Sequence, residues 1–176
     1  MNIAELEECI NTYGKDIYGF CRHITCNAHE ADDLYQDTFL KAIELQEKID
    51  NLNNPKSYLI SIAIRIWKNR KRKYAWRQKI AGIEQINEIQ EYVPDIKVDD
   101  LVIQTLISKE KHLLVQNVVS KLKDKYKIPV YLYYSSEMTI KEISKTLKIP
   151  EGTVKSRLHK ARTIIKEKLE VVGYEK

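Results

Sequence analysis

Residues 139–169, TIKEISKTLKIPEGTVKSRLHKARTIIKEKL, decide how the C-terminal part of this chain folds. Thr139 and Glu142 match the Thr-x-x-Glu capping box that begins a helix, and a second helix is expected after Pro150. Its apolar residues recur at helical spacing and fall on one side: Val154, Leu158, Ala161, Ile165 and Leu169. A capped short helix, a tight turn and a helix with a basic front predict a helix-turn-helix.

The front of that second helix is basic and rich in hydrogen-bonding groups. Ser156, His159, Lys160 and Thr163 lie opposite the apolar side, with Lys155 and Lys166 beside them and Arg157 and Arg162 on the flanks. In a helix-turn-helix, such a front enters the major groove, where side chains reach base edges and flanking arginines contact phosphates. An amphipathic helix on an ordinary surface also carries lysines, and helical geometry alone leaves that alternative open.

Charge is segregated along the 176 residues, although the net charge is only +5. Residues 1–50 hold 4 basic against 11 acidic residues, and residues 51–80 hold 9 basic residues and no acid. Residues 81–105 are again acidic, with 1 against 6, and residues 106–176 are basic, with 16 against 8. This alternation indicates polyanionic partners for the second and fourth blocks, or else solvated helix faces.

Apolar spacing predicts helices throughout the chain. One is expected over residues 3–25, with a buried stripe of Ile3, Leu6, Ile10, Ile17, Phe20 and Ile24. Asn27 is the expected N-cap of the next, whose buried side takes Ala31, Leu34, Phe39 and Ile43. Turn residues Asn51–Pro55 precede a third helix that weakens after Trp76. Further helices are expected over 83–89, 101–122 and 130–134, before the helix-turn-helix.

The C-terminal sequence resembles region four of bacterial sigma factors, and Gly152-Thr153-Val154-Lys155-Ser156-Arg157-Leu158 is its most diagnostic part. The resemblance implies recognition of the minus-thirty-five promoter element. The implied base or near-base contacts are Lys155, Ser156, His159 and Lys160. The remaining implied minus-thirty-five DNA-binding residues are Thr139, Thr153, Arg157 and Arg162. Ser144 replaces a common alanine and Lys148 a common glycine; a left-handed lysine would cost about 1–2 kcal/mol relative to glycine.

The N-terminal half resembles a different part of the same family. HEADDLYQDTFLKAIE, residues 29–44, is similar to the segment that docks on the polymerase clamp, with the pattern Asp-Leu-x-Gln-(Asp/Glu)-x-Phe. The implied core polymerase-binding residues are Asp33, Leu34, Gln36, Asp37 and Phe39. Asp33, Gln36 and Asp37 recur at spacings of three and four and so share one side of a helix. A plain acidic solvent face is the alternative for this segment taken alone.

Residues 53–79, NNPKSYLISIAIRIWKNRKRKYAWRQK, resemble the segment that opens and reads the minus-ten element. Melted DNA offers unstacked bases and a bare backbone, which aromatic and cationic side chains bind. The implied minus-ten DNA-binding residues are Asn51, Asn53, Asn54, Lys56, Tyr58, Arg65, Lys68, Asn69, Arg70, Arg72 and Lys73. Lys71 extends the cationic run, and Trp67 and Trp76 are further stacking candidates, although their apolar neighbours place Tyr58 and Trp67 more naturally in the core. Arg65 departs from an asparagine common in the family.

These resemblances imply an all-α fold of two small helical domains joined by a flexible acidic linker. The expected bounds are 1–76 for sigma region 2, 77–105 for the linker and 106–176 for sigma region 4. Together they resemble the extracytoplasmic-function group, which implies core RNA polymerase (clamp and flap) and promoter DNA as partners. They also imply control by an anti-sigma factor, commonly in envelope or stress responses.

Other function classes are weighed on the same residues. No apolar run can span a bilayer and no signal peptide is visible, so a cytoplasmic protein without direct membrane insertion is expected. Cys21, His23, Cys26 and His29 diverge on a continuous helix, and only a break near Thr25–Asn27 would let them share a metal. Neither a catalytic constellation nor a cofactor is expected. The remaining alternative is a helix-turn-helix activator or repressor that is not a polymerase subunit.

Overall fold

The computed structural model describes residues 3–45, 54–80 and 113–171, and all regular structure within these ranges is helical. The elements are α1 (Ile3–Thr25), α2 (Ala28–Glu44), α3 (Pro55–Ile80), α4 (described over 113–120), α5 (Asp124–Tyr134), α6 (Ile140–Leu147) and α7 (Glu151–Val171). The all-α prediction is confirmed. Within the described ranges, no helix is both long and apolar enough to cross a membrane.

The break between α1 and α2 is built by three consecutive residues. The Thr25 hydroxyl donates to the Cys21 carbonyl at 2.9 Å, and Cys26 then takes a left-handed conformation with φ 57°. The side-chain oxygen of Asn27 accepts the backbone N–H of Glu30 at 3.1 Å. This bond satisfies one of the unpaired donors at the start of α2, so the predicted N-cap is confirmed.

Helices α1, α2 and α3 pack together as the N-terminal unit. Its fully buried side chains come from all three helices: Ile17, Phe20, Ile24, Leu34, Leu59 and Ile60. Two predicted core positions are wrong, because Ile10 is 36% exposed and Ile43 is 44% exposed. The buried stripe of α2 runs through Ala31, Leu34, Thr38 and Ala42, which turns the neighbouring Ile43 outward.

The C-terminal unit consists of α4 to α7. The predicted helix over 101–122 is described only from residue 113 and ends at residue 120, and the helix expected at 130–134 begins earlier, at Asp124. Helix α3 likewise continues past Trp76 to Ile80, so residues 77–80 of the expected linker are helical. Residues 81–112 lie outside the described ranges, as do the expected helix at 83–89 and Asn51 and Asn53.

The two units contact each other. Helix α1 packs on α5 and α3 packs on α6, and the buried apolar residues of both units form one continuous cluster. The packing brings the start of α3 beside the helix-turn-helix, so the residues assigned to the two promoter elements are neighbours in this arrangement.

Candidate nucleic-acid interface

Helices α6 and α7 form the predicted helix-turn-helix. The Thr139 hydroxyl accepts the Glu142 N–H and the Glu142 carboxylate accepts the Thr139 N–H at 2.8 Å, so the capping box is confirmed. Lys148 then adopts φ 53° and ψ 48°, the left-handed conformation that a glycine would favour. The Ser144 hydroxyl donates to the Ile149 carbonyl at 2.6 Å and satisfies a polar group of the turn. Ser144 therefore stabilises the turn through a hydrogen bond that an alanine at this position could not make.

The back of α7 is fixed in the core and its front is exposed. Val154, Leu158 and Ala161 are buried, whereas Ile165 and Leu169 of the predicted stripe are only partly buried. All four implied base contacts are exposed: Lys155, Ser156, His159 and Lys160. The front is thus rigidly positioned by its apolar back and free to enter a groove, as the major-groove geometry requires.

Three of the implied minus-thirty-five contacts already have hydrogen-bond partners within the chain. The Arg162 Nε donates to the Tyr134 hydroxyl oxygen at 2.9 Å, which fixes the direction of the guanidinium at the edge of the front. The Ser156 hydroxyl donates to the Thr153 carbonyl at 3.0 Å and keeps its acceptor capacity. Thr139 serves the capping box, and the same bonds lower the pKa of the Glu142 carboxyl. Thr139 is thus chiefly a structural residue, although it remains exposed.

Helix α3 carries the second cationic surface. Arg65, Lys68, Asn69, Arg72 and Lys73 are exposed, and α3 contains no acidic residue. Such a surface attracts the phosphates of a nucleic acid, with an affinity that falls as salt rises. The aromatic residues divide between core and surface. Trp67 is buried, which confirms its core assignment; Tyr58 is half-buried against the core; Trp76 is 65% exposed.

The start of α3 is closed by Asn54, which has φ 62°. Its side-chain oxygen accepts the Ser57 N–H at 3.1 Å, so this residue caps the helix. Its amide nitrogen donates to the Glu142 carboxylate of the C-terminal unit. The nearby Lys56 ammonium pairs with the Asp16 carboxylate of α1, so two of the implied minus-ten contacts have partners within the chain.

The predicted clamp-docking residues divide in the same way. Asp33 and Gln36 are exposed on α2, and the Asp37 carboxylate pairs with the Arg70 guanidinium of α3. The prediction that Leu34 and Phe39 contact the polymerase clamp directly is wrong, because these residues are 0% and 7% exposed. They belong to the core behind the exposed face of α2. The sequence analysis did not identify an apolar residue on this face. Leu40 is 60% exposed and lies one helical turn after Gln36.

The break after α1 does not assemble a metal site. Cys21 is fully buried, and burial raises the pKa of its thiol to about 12. The His23 ring stacks on Tyr131 with centroids 4.8 Å apart, and the Cys26 thiol donates to the His23 carbonyl at 3.4 Å. No group of three or more His, Cys, Asp or Glu side chains in the described ranges could hold a metal ion.

Comparisons with known proteins find matches to both halves of the chain. Two family models match: Sigma-70 region 2 over residues 9–77, and Sigma-70, region 4 over residues 112–165. The ECF RNA polymerase sigma factor SigW of Bacillus subtilis (strain 168) is 30% identical, over 92% of this chain and 87% of its own length. SigM of the same organism is 26% identical, over 92% and 93%.

A solved structure has a similar fold. It is the sigma factor RpoE in complex with the anti-sigma factor NepR from Bartonella quintana, and the alignment has a TM-score of 0.78. The alignment covers 96% of this chain and 99% of that one, at 19% sequence identity. At this identity the likeness concerns the fold.

Proposed function

This chain belongs to the extracytoplasmic-function group of sigma-70 factors, and on that premise we propose that it binds core RNA polymerase and directs promoter-specific initiation. The observation that carries the proposal is the presence of two cationic, exposed helix faces on separate helical units of one chain. One is the front of α7, the second helix of the helix-turn-helix, and the other is the exposed face of α3. Two cationic surfaces, one on each helical unit, fit a promoter with two elements.

The front of α7 is proposed to read duplex DNA at the minus-thirty-five element. Lys155, Ser156, His159 and Lys160 have the exposure and the donors to reach base edges in the major groove. Arg157 and Arg162 lie at the sides, where they meet phosphates and set the register of the helix on the duplex.

Helix α3 is proposed to hold the melted strand of the minus-ten element. Its exposed Lys68, Arg72 and Lys73 supply phosphate contacts, and Trp76 offers an exposed ring on which a base can stack. The docking surface on the polymerase clamp is the α2 face of Asp33, Gln36 and Asp37, extended by Leu40. Specific protein interfaces have an apolar centre with a polar rim, and the exposed Leu40 supplies an apolar contact beside these polar groups.

The proposal assigns no catalytic chemistry to this chain, because nucleotide addition belongs to the core enzyme. We further propose that the chain acts in the cytoplasm, together with the core enzyme. The proposed regulatory context is an envelope or stress response. Since RpoE was solved with an anti-sigma factor, we infer a partner of the same class for this chain.

Reconstitution with core polymerase tests the proposal. We expect the purified chain to bind core enzyme and to start transcription at specific sites, and to bind free duplex DNA poorly by itself. A helix-turn-helix repressor would bind duplex DNA alone and would not support initiation. No association with core enzyme would therefore contradict the proposal, whatever the affinity for DNA.

The double substitution Lys155→Ala and His159→Ala separates the roles of the two units. We expect initiation at promoters that need the upstream element to fall about tenfold or more, because two base-edge contacts are lost, with core binding unchanged. Lys121→Ala is the matched control, since it removes one positive charge from an exposed site of the same unit outside α7. A loss of core binding in the double variant would contradict the assigned roles.

A further inference from the structure

One arginine at the edge of the α7 front is held by a residue outside the helix-turn-helix. The Arg162 Nε donates to the hydroxyl oxygen of Tyr134, the last residue of α5, at 2.9 Å. The central carbon of the guanidinium lies 6.0 Å from the centre of the Tyr134 ring. The two residues are 28 positions apart in sequence, so the spacing of α7 alone does not reveal the contact. The direction of the Arg162 side chain therefore depends on α5.

Tyr134 is itself firmly placed at the end of α5. The Met138 N–H bonds the Leu132 carbonyl at 3.0 Å, and Leu132 is fully buried, so this end of the helix is anchored in the core. The Tyr134 ring packs edge-on against the Tyr133 ring, with centroids 4.9 Å apart. Tyr134 is nevertheless 55% exposed. It thus offers Arg162 a fixed hydroxyl group that solvent, or a ligand, can still reach.

The partner of Arg162 is uncharged, which distinguishes this arginine from the paired cations of α3. Three cations of α3 are paired with carboxylates of the chain: Lys56 with Asp16, Arg70 with Asp37 and Lys71 with Asp124. A carboxylate balances the charge of its partner and must be exchanged before that cation binds a phosphate. A phenol is neutral at physiological pH, so it orients the Arg162 guanidinium and leaves its full positive charge for a ligand.

The bond between Arg162 and Tyr134 also leaves hydrogen-bond donors on both groups. The guanidinium uses only its Nε, so the N–H groups on its two terminal nitrogens stay available. The Tyr134 hydroxyl accepts this bond through its oxygen and retains its own proton to donate. Donors from the two side chains therefore lie close together at one edge of the front. A phosphate, which presents several acceptor oxygens and a negative charge, matches such a set.

The position of the pair along α7 fits the edge of a major groove. Arg162 follows Lys155 by seven residues on the same side of the helix, a rise of about 10 Å. The major groove of B-DNA is about 12 Å wide. When Lys155 contacts base edges, Arg162 and Tyr134 therefore come to the phosphate backbone that borders the groove. Lys166 is exposed one turn beyond Arg162 and adds positive charge on this side.

We propose that Tyr134 and Arg162 together bind one phosphate at the edge of the minus-thirty-five element, with Tyr134 as the positioning residue for Arg162. The DNA-binding surface of the C-terminal unit then extends from the helix-turn-helix onto the end of α5. This inference rests on the proposed function, because it requires α7 to lie on duplex promoter DNA. A phosphate contact carries no sequence information, so the pair sets the register of α7 on the duplex and leaves the choice of bases to its front.

The substitution Tyr134→Phe tests the positioning role, because it removes the hydroxyl and changes neither the ring nor the charge. The assay is binding of the reconstituted holoenzyme to a labelled promoter duplex, mapped from the transcripts that the holoenzyme makes. We expect about threefold to tenfold weaker binding from the loss of a bond to a charged group. Arg162→Ala should lower the slope of log affinity against log salt by about one, as expected for one lost phosphate contact.

The salt slope distinguishes positioning from a merely structural role of the hydroxyl. Tyr134→Phe replaces one neutral side chain with another, so its slope should fall toward that of Arg162→Ala only if the arginine has lost its phosphate. The double variant should bind no more weakly than Arg162→Ala, because the two residues act as one unit. Tyr133→Phe is the matched control, since it removes a hydroxyl from the neighbouring residue, whose ring packs against the core. This control should keep the wild-type affinity and slope.

Phosphate ethylation interference identifies the contact on the DNA. We expect one phosphate beside the upstream element whose ethylation weakens binding of the wild-type holoenzyme and of Tyr133→Phe. Ethylation at this position should have no effect on Tyr134→Phe or Arg162→Ala, while interference at the other phosphates remains. The measurement therefore assigns both side chains to the same phosphate, which affinity alone does not do.

The outcomes separate the two levels of inference. An unchanged salt slope and ethylation pattern in Tyr134→Phe would overturn the pairing, even if binding were weaker, and the sigma function would stand. Additive losses in the double variant would also overturn it, because the two residues would then act independently. If the wild-type chain forms no holoenzyme that binds and starts at specific promoters, the proposed function fails and this inference fails with it.

Discussion

Replacing Lys148 by glycine should stabilise the C-terminal unit, because this residue ends α6 in a left-handed conformation. Its backbone N–H reaches the Lys145 and Ser144 carbonyls, and the Ile149 N–H bonds the Ser144 carbonyl at 3.1 Å, so the conformation is imposed by the turn. A side chain there costs about 1–2 kcal/mol relative to glycine. The greater conformational freedom of glycine in the unfolded chain offsets about 0.4–1 kcal/mol of this gain in stability. The midpoints of these two ranges give an expected net gain of about 0.8 kcal/mol.

Urea denaturation, followed by circular dichroism, measures this gain. With a typical slope of about 1–3 kcal/mol per molar urea, the midpoint of Lys148→Gly should rise by roughly 0.2–1 M. Lys148→Ala is the matched control, since it removes the same charge and keeps the Cβ that causes the strain. Lys145→Gly, inside α6, should instead destabilise by about 1 kcal/mol. A midpoint for Lys148→Ala equal to or above that of Lys148→Gly would refute the reasoning, because the gain would then come from charge.

Three further predictions concern a buried lysine, a buried thiol and a pair of helix glycines. Burial lowers the pKa of Lys127 below 10.5, so the unfolded chain binds more protons than the folded chain between the lowered pKa and pH 10.5. The free energy of unfolding of the wild-type chain, relative to that of Lys127→Met, should therefore rise with pH over this range, as measured by urea midpoints at several pH values. A difference that does not change with pH would contradict the prediction. Cys21, with a pKa of about 12, should react with iodoacetamide at pH 8 about a thousandfold more slowly than an unperturbed thiol, measured by peptide mapping of the native chain. Gly19→Ala should raise the thermal midpoint, with a gain of about 0.5–1 kcal/mol, because its new methyl group meets no atom within 4 Å. Gly14→Ala should gain less, because its methyl group would lie 2.9 Å from the Tyr35 hydroxyl oxygen.

Local features of the fold were predictable from sequence because their physical causes are local. The capping box of Thr139, the N-cap of Asn27 and the left-handed Lys148 all follow from interactions within five residues. The positions that failed depend on how helices pack. Ile10 and Ile43 satisfy helical spacing but lie just beyond the edge of the buried stripe, and one helical step decides between core and solvent.

The candidate site was predictable to the same extent. The front of α7 is set by periodicity and by a buried back, so its exposed residues could be identified in advance. The contacts of Asn54 with Glu142 and of Lys71 with Asp124 could not, because nothing in the local sequence marks pairs so distant along the chain. The exposure of Leu40 could have been found, since it follows Gln36 by one turn and belongs to the same face.

Pairing within the chain does not remove a residue from a binding surface when the pair is exposed. The Arg70 and Asp37 side chains are 38% and 48% exposed, and such pairs contribute only about 0–1 kcal/mol. Exchange of this partner for a phosphate, or for a cation on the polymerase, therefore costs little, and both residues remain available to the proposed DNA and clamp surfaces. Lys127 differs because it is buried and its amine donates a hydrogen bond to a backbone carbonyl. It therefore stabilises the fold and is not accessible to a binding partner. Exposure of the charged atoms, rather than the presence of a partner, separates the proposed binding residues from structural ones in this chain.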